Sequence, residues 1–291
     1  MTSPLQGKTA LVTGATNGIG FITARELARM GAQVSLLSRN EAKCRNAARQ
    51  IQAETGQPVT FIAADLSRQD EIRRAAAGFM ARHSRLHILV NNAGAYFNRR
   101  SLTAEGLEMT FALNHLGYFL LTDLLLDLLK ASAPARIVNV ASGAHMSETN
   151  LDLGNLQGEK SYAGFKVYAR SKLCNILFTY ALARRLEGSG VTANCLHPGY
   201  VNTGFARNNG RLFSLFSGLF ARLFARTPEQ GALTSILLAS APGLEEVTGQ
   251  YFVDGRPARS SPLSYDQALA ERLWNHSLQL IGPADRPSPT R

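Results

Sequence analysis

Short apolar runs alternate with longer amphipathic stretches along most of the chain. The runs Thr9–Thr13, Gln33–Leu37, Val59–Ala63, Ile88–Asn91, Arg136–Val140, Val191–Leu196 and Gln250–Val253 are too short for helices and read as strands. Between them, Ile19–Met30, Glu41–Thr55, Asp70–His83, Leu107–Lys130 and Val167–Glu187 carry apolar positions at helical spacing. Each is long enough to serve as a right-handed crossover between parallel strands. The alternation predicts an α/β fold: a single Rossmann-type doubly wound domain, a parallel sheet of about seven strands with helices on both faces. No repeat, low-complexity tract or linker divides the chain, so one domain over 1–291 is expected, its core at about 8–254.

Two segments fall outside the alternation. Residues 200–226 form an insertion before a helix that starts near Thr227-Pro228, and a helical tail occupies about 260–282, with its helix at Tyr265 to Leu280. Ligands of open α/β sheets bind beyond the carboxyl ends of strands, so an insertion after Val191–Leu196 is placed to cover such a site. Within it, Leu212, Leu215, Phe216, Leu219, Phe220, Leu223 and Phe224 share one helical face. Three readings of 211–226 stand: a lid over a lipophilic substrate, a plain core helix, and a peripheral membrane contact with its arginines toward the headgroups.

Composition and charge narrow the class. With 45% apolar and 18% charged residues the chain can bury a sizeable core. The net charge of +10 comes from arginines scattered over helix-like segments, without a basic block, so nucleic acid is not an expected partner. The richest apolar run, Leu116 to Leu129, is broken by Asp123 and Asp127, and the N-terminus has no signal-peptide pattern. A cytoplasmic location is expected, with peripheral membrane association left open. Cys44, Cys174 and Cys195 are widely spaced and read as reduced structural thiols. His83 and His87 are four apart, but the helix ends between them, and no metal is expected.

Candidate chemistry starts at the first strand end. Thr13-Gly14-Ala15-Thr16-Asn17-Gly18-Ile19-Gly20 leads straight into a helix. Glycines let the backbone approach a pyrophosphate, and the helix N-terminus offers free N–H groups and the positive end of its dipole. The second strand ends Leu37-Ser38-Arg39-Asn40, with a guanidinium where NAD sites place a carboxylate on the ribose. That end attracts a 2′-phosphate, so NADP(H) is expected over NAD(H). Asp65-Leu66 and Asn91-Asn92-Ala93-Gly94 follow the third and fourth strands, where a carboxylate can meet adenine and small residues admit the ribose.

These pieces together resemble the classical short-chain dehydrogenase/reductase family: Thr13–Gly20, Asn91–Gly94, Asn114, Ser142, Tyr168-x-x-x-Lys172 and Pro198-Gly199, over about Lys8 to Val253. Tyr168 to Phe178, Leu196 to Val201 and Arg272-Leu273-Trp274 are similar to its retinol-dehydrogenase-like branch. The resemblance implies hydride exchange between the coenzyme and a lipophilic alcohol, aldehyde or ketone. It implies Asn114, Ser142, Tyr168 and Lys172 as catalytic residues. Coenzyme contacts are implied at Gly14, Thr16, Asn17, Gly18, Ile19, Gly20, Ser38, Arg39, Asp65, Leu66, Asn92, Ala93, Gly94, Tyr168, Lys172, Pro198, Gly199, Val201 and Thr203. It also implies a homodimer or homotetramer, with Leu107–Lys130 and Val167–Glu187 as exposed helices that pair across a two-fold axis.

Hydride delivery to a carbonyl leaves an alkoxide that needs a proton. Tyr168 and Lys172 share a helical face, so the ammonium is expected to lower the phenol pKa. Ser142 is expected to hold the substrate oxygen, and Asn114 to hold a water leading from Lys172. Tyr162 and Lys166 have the same spacing, but Gly164 weakens that stretch as helix, which favours Tyr168. His145, in the polar excursion from Ala144 to Phe165, has two readings, a polar loop residue, which is favoured, and a substrate contact. The alternative to an enzyme is a coenzyme-binding regulatory or scaffold protein with little turnover.

Overall fold

The computed structural model describes residues 3–201 and 226–282. Strands β1 (Thr9–Thr13), β2 (Gln33–Ser38), β3 (Val59–Ala63), β4 (Ile88–Asn91), β5 (Ala135–Val140), β6 (Val191–His197), β7 (Tyr251–Val253) and β8 (Arg256–Ala258) form one sheet. Its order is β3-β2-β1-β4-β5-β6-β7-β8. All neighbours pair parallel except β7 and β8, which form an antiparallel hairpin. The order reverses between β1 and β4, which opens a crevice at their carboxyl ends.

The helices are α1 (Gly18–Arg29), α2 (Glu41–Thr55), α3 (Gln69–Met80), α4 (Met109–Ala131), α5 (Gly164–Arg185), α6 (Pro228–Ser240) and α7 (Gln267–Ile281). Alternate strand residues feed two cores. Ala10, Val12, Ile88 and Val90 face α1, α2 and α6, whereas Leu11 and Leu89 face α3, α4 and α5. By length and composition α4 passes for a membrane span, yet most of it is buried in the second core.

Four details differ from the sequence expectation. β8 was not anticipated, because Arg256-Pro257-Ala258 has no apolar run. It forms because Asp254 and Gly255, at φ 51° and 73°, reverse the chain tightly, and Pro257 suits an unpaired sheet edge. α5 starts at Gly164, three residues early. A Cβ there would stand 2.6 Å from the Phe97 carbonyl oxygen, so close packing on the 97–98 backbone outweighs poor helix propensity. α4 contains a π turn at Ala112–Leu116, which the apolar periodicity does not reveal.

The fourth difference concerns pairing. α4 and α5 are not exposed helices, because α7 covers them. Trp274 stacks on Phe178 at 5.7 Å and meets Phe119 edge-on at 4.9 Å, with the Arg185 guanidinium 4.0 Å from its ring centre. Gln69 and Arg73 of α3 donate to the Leu280 and Ile281 carbonyls and fasten the end of α7.

Candidate active site

The crevice is bordered by the turn from β1 to α1. Gly14 has φ +64°, and a Cβ on it would lie 2.8 Å from the Ala93 Cα. A Cβ on Gly20 would lie 2.4 Å from the Asn92 amide nitrogen and 2.6 Å from the Gly14 carbonyl oxygen. Only glycine permits this approach. Asn92 donates its side-chain amide to the Thr13 carbonyl at 2.9 Å. The Thr13 hydroxyl accepts from the Asn92 and Ala93 amides at 2.8 and 3.0 Å and donates to the Val90 carbonyl. Thr13 therefore locks the two central strand ends together, a role the motif contained but spacing did not assign. Asn17 precedes α1 in extended conformation with no side-chain cap, which leaves the first helical N–H groups free of one.

At the end of β2, Arg39 is exposed and pairs with Asp65 at 3.6 Å. Asp65 also accepts from the amide and hydroxyl of Ser67 at 3.0 and 2.7 Å. Its carboxylate is thus engaged by its own loop. Lys43, in the first turn of α2, borders the same cavity as Ser38, Arg39, Asp65 and Leu66 and gives that end a second cation. Its place beside Arg39 was the available signal, which sequence reading missed. A Cβ on Gly117 would lie 2.6 Å from the Leu66 carbonyl oxygen, so α4 supports this loop through a glycine.

At the other end, Ser142 accepts from the Ala144 amide at 3.2 Å and is hydrogen-bonded to Tyr168. Lys172 is 4% exposed, and its ammonium donates to the Val140 carbonyl at 3.0 Å. The Lys172 Nζ lies 5.8 Å from the Tyr168 ring centre and 5.6 Å from that of Tyr118. The expected lowering of the Tyr168 pKa does not appear. Burial pushes the phenol up, against an opposing effect of Ser142, and burial pulls Lys172 down to about 7. Desolvation of both groups outweighs an attraction over this distance.

Asn114 lies fully buried in the π turn. Its amide accepts from the Ala95 N–H at 2.9 Å and donates to the Ala95 carbonyl at 3.0 Å and to Ser171 at 3.1 Å. These are long-range bonds, neither local helix contacts nor a bond to Lys172. A Cβ on Gly94 would stand 3.2 Å from Asn114 and 3.4 Å from the Lys172 Nζ, so all three converge. Tyr162 precedes α5 and does not share a helical face with Lys166. Its hydroxyl donates to the Phe97 carbonyl at 3.0 Å and meets Glu108 at 3.2 Å.

One cavity of about 600 Å³ connects these parts. It is lined by Gly14, Thr16, Asn17, Gly18, Ile19, Gly20, Ser38, Arg39, Asp65, Leu66, Asn92, Ala93, Gly94, Ser142, Tyr168, Lys172, Pro198, Gly199 and Val201. Asn114 stands behind it. Thr203 and 202–225, which hold nearly all of the segment read as lid, core or membrane contact, lie outside the described residues. Sequence reading did not find the apolar wall of Phe97, Met109, Leu113, Phe165 and Tyr200, or His197. Met109 and Leu113 share a face of α4 at i, i+4, but Phe97, Phe165, Tyr200 and His197 come from separate segments, so no single spacing marks the wall. Among the described residues no group of three or more His, Cys, Asp or Glu is placed to hold a metal ion. All three cysteines are free and buried.

The residues present fit a dinucleotide. Glycines without room for a Cβ, an α-helix N-terminus, two cations at the β2 end and a buried ammonium with one protein acceptor among the described residues line a single cavity.

A family model described as short chain dehydrogenase matches residues 8–211. The human protein named retinol dehydrogenase 11 is 46% identical over 282 residues, which span 97% of this chain and 88% of that protein. A solved structure from Mycobacterium paratuberculosis superposes with a TM-score of 0.77 at 32% identity, covering 95% of this chain and 94% of the other. RhlG of Pseudomonas aeruginosa, solved as an NADP active-site complex, superposes at 0.70 with 30% identity over 88% of this chain and 98% of its own. The chain belongs to the short chain dehydrogenase family, in its retinol-dehydrogenase-like branch, and is an NAD(P)-dependent oxidoreductase that acts on CH–OH groups.

Proposed function

We propose that the chain is an NADP(H)-dependent oxidoreductase that interconverts a lipophilic alcohol and its aldehyde or ketone, with Tyr168 as the acid/base. The observation that carries this reading is the meeting of Ser142, Tyr168 and Lys172 in one cavity whose outer wall is aromatic and aliphatic. When bound, the coenzyme supplies or accepts the hydride. The chain's own residues do the rest. The Ser142 hydroxyl orients the substrate oxygen, and Tyr168 gives that oxygen a proton in reduction or takes it in oxidation. Lys172, as ammonium, stabilises the phenolate that remains, and Asn114 holds the Ala95 backbone and Ser171 behind it.

The phosphate-binding part falls to the Gly14–Gly20 turn. Ser38, Arg39 and Lys43 favour a 2′-phosphate, and the Asp65 carboxylate, paired with Arg39, is not free to claim a ribose hydroxyl. The NADP in the RhlG complex supports the same preference. The apolar wall favours a lipophilic substrate, as the name of the human relative suggests. We place it in the cytoplasm, with peripheral membrane contact through 211–226 as a route for such substrates.

A panel of aliphatic and isoprenoid aldehydes, ketones and alcohols, followed by NADPH and NADH absorbance, tests the reading. Turnover with kcat/KM higher for NADPH is expected. Coenzyme-induced thermal stabilisation without turnover on the whole panel would instead favour a coenzyme-binding scaffold.

A further inference from the structure

His145 has no part in the proton transfer, yet its ring is completely buried between the Ser142 loop and the C-terminal segment. Its Nδ1 stands 2.6 Å from the Ser142 carbonyl oxygen, and its Nε2 stands 3.1 Å from the Ser261 amide nitrogen. A carbonyl only accepts and an amide N–H only donates. One species satisfies both contacts at once, the neutral imidazole with its hydrogen on Nδ1. The reading of His145 as a polar loop residue is thereby corrected. Its partner is 116 positions away in the chain, beyond any local signal.

The two ends of this bridge are themselves fixed. Next to Ser261, the Ser260 hydroxyl meets Tyr180 at 2.8 Å and Ser264 at 2.6 Å. Tyr180 belongs to α5, the helix that carries Tyr168 and Lys172. On the other side, the Ser142 hydroxyl is held by the Ala144 amide and Tyr168, while the Ser142 carbonyl is held by His145. The Tyr251 ring closes the pocket edge-on at 5.1 Å.

We propose that His145 is a positioning residue: from an anchorage in the C-terminal segment it fixes the Ser142 peptide, and so the direction of the Ser142 hydroxyl toward Tyr168. The inference rests on the roles assigned above to Ser142 and Tyr168.

Two substitutions separate its two contacts. The His145→Asn amide reaches the place of Nδ1 and keeps the bond to the Ser142 carbonyl, but loses the acceptor for Ser261. The His145→Gln amide reaches the place of Nε2 and keeps Ser261, but removes the 2.6 Å side-chain bond to the Ser142 carbonyl and leaves it only the longer bond at 3.3 Å from the backbone N–H of residue 145. Wild type and Tyr168→Phe are measured alongside. An active wild type with an inactive Tyr168→Phe upholds the proposed function whatever His145 does. The expected result is opposed movement of rate and stability. His145→Gln melts near wild type but loses about tenfold to a hundredfold in kcat with coenzyme KM unchanged. His145→Asn melts lower but keeps most of kcat. A kcat that follows the melting temperature in both variants overturns the proposal. Long-range proton–nitrogen NMR of the wild-type ring decides if neither variant folds: the Nδ1–H tautomer is expected, and the Nε2–H tautomer or an imidazolium at pH 7 contradicts it.

Discussion

Lys172 follows Tyr168 by one turn of α5 and donates to the Val140 carbonyl at 3.0 Å, with its nitrogen 5.8 Å from the Tyr168 ring centre. The ammonium is thereby fixed beside the phenol but buried at a cost that the fold bears elsewhere. Charge of this kind, kept in the interior with one acceptor among the described residues, is a feature of function rather than of stability.

Lys172→Met therefore stabilises the protein while it abolishes turnover. Burial lowers the lysine from 10.5 to about 7. Between those values the unfolded chain binds the proton and the folded chain releases it, so wild-type stability falls as pH drops from 10.5 toward 7 and levels off below, where both states carry the proton. Melting curves at pH 6 and pH 10 should show the variant ahead at pH 6 by a margin that shrinks at pH 10. A margin independent of pH would contradict the burial argument.

Gly14→Ala weakens both fold and coenzyme binding. The left-handed φ costs about 1–2 kcal/mol for a residue with a Cβ, and the new methyl meets the Ala93 backbone at 2.8 Å. Urea unfolding should lose at least that amount. Coenzyme fluorescence titration should show a raised Kd, because the turn can no longer close on Asn92 and Ala93.

Arg39→Ala changes coenzyme preference. Loss of a charge-assisted bond to a 2′-phosphate removes about tenfold to a hundredfold in kcat/KM for NADPH. NADH kinetics should stay near wild type. Equal losses for both coenzymes would assign Arg39 to loop structure through its pair with Asp65.

Trp274→Ala tests the C-terminal helix as part of the core. The indole packs on Phe119 and Phe178 and under Arg185, so truncation should cost about 3 kcal/mol in equilibrium denaturation. A loss within experimental error would mean that α7 is only loosely docked.

Where local sequence carried the physics, the fold was legible. β1 to β7 are short apolar runs because parallel strands covered on both faces need them. β8 escaped because a two-residue reversal at Asp254-Gly255, rather than its own composition, makes it a strand. The glycine turn after β1 was legible because its spacing is continuous in sequence. The helix-propensity argument that favoured Tyr168 over Tyr162 does not hold in the fold. Gly164 opens α5 instead of weakening it, and Tyr162 stands apart because its hydroxyl is occupied by Phe97 and Glu108. His145 and the apolar wall stayed hidden because their partners come from distant segments that only the folded sheet brings together.

Proton transfer by Tyr168 is tested most directly by single-turnover reduction of an aldehyde substrate by Tyr168→Phe already loaded with NADPH. Coenzyme binding close to wild type with the chemical step slowed at least about a hundredfold is the predicted result. A variant that binds NADPH normally and reduces the aldehyde at the wild-type rate would contradict the assignment of the phenol as acid/base.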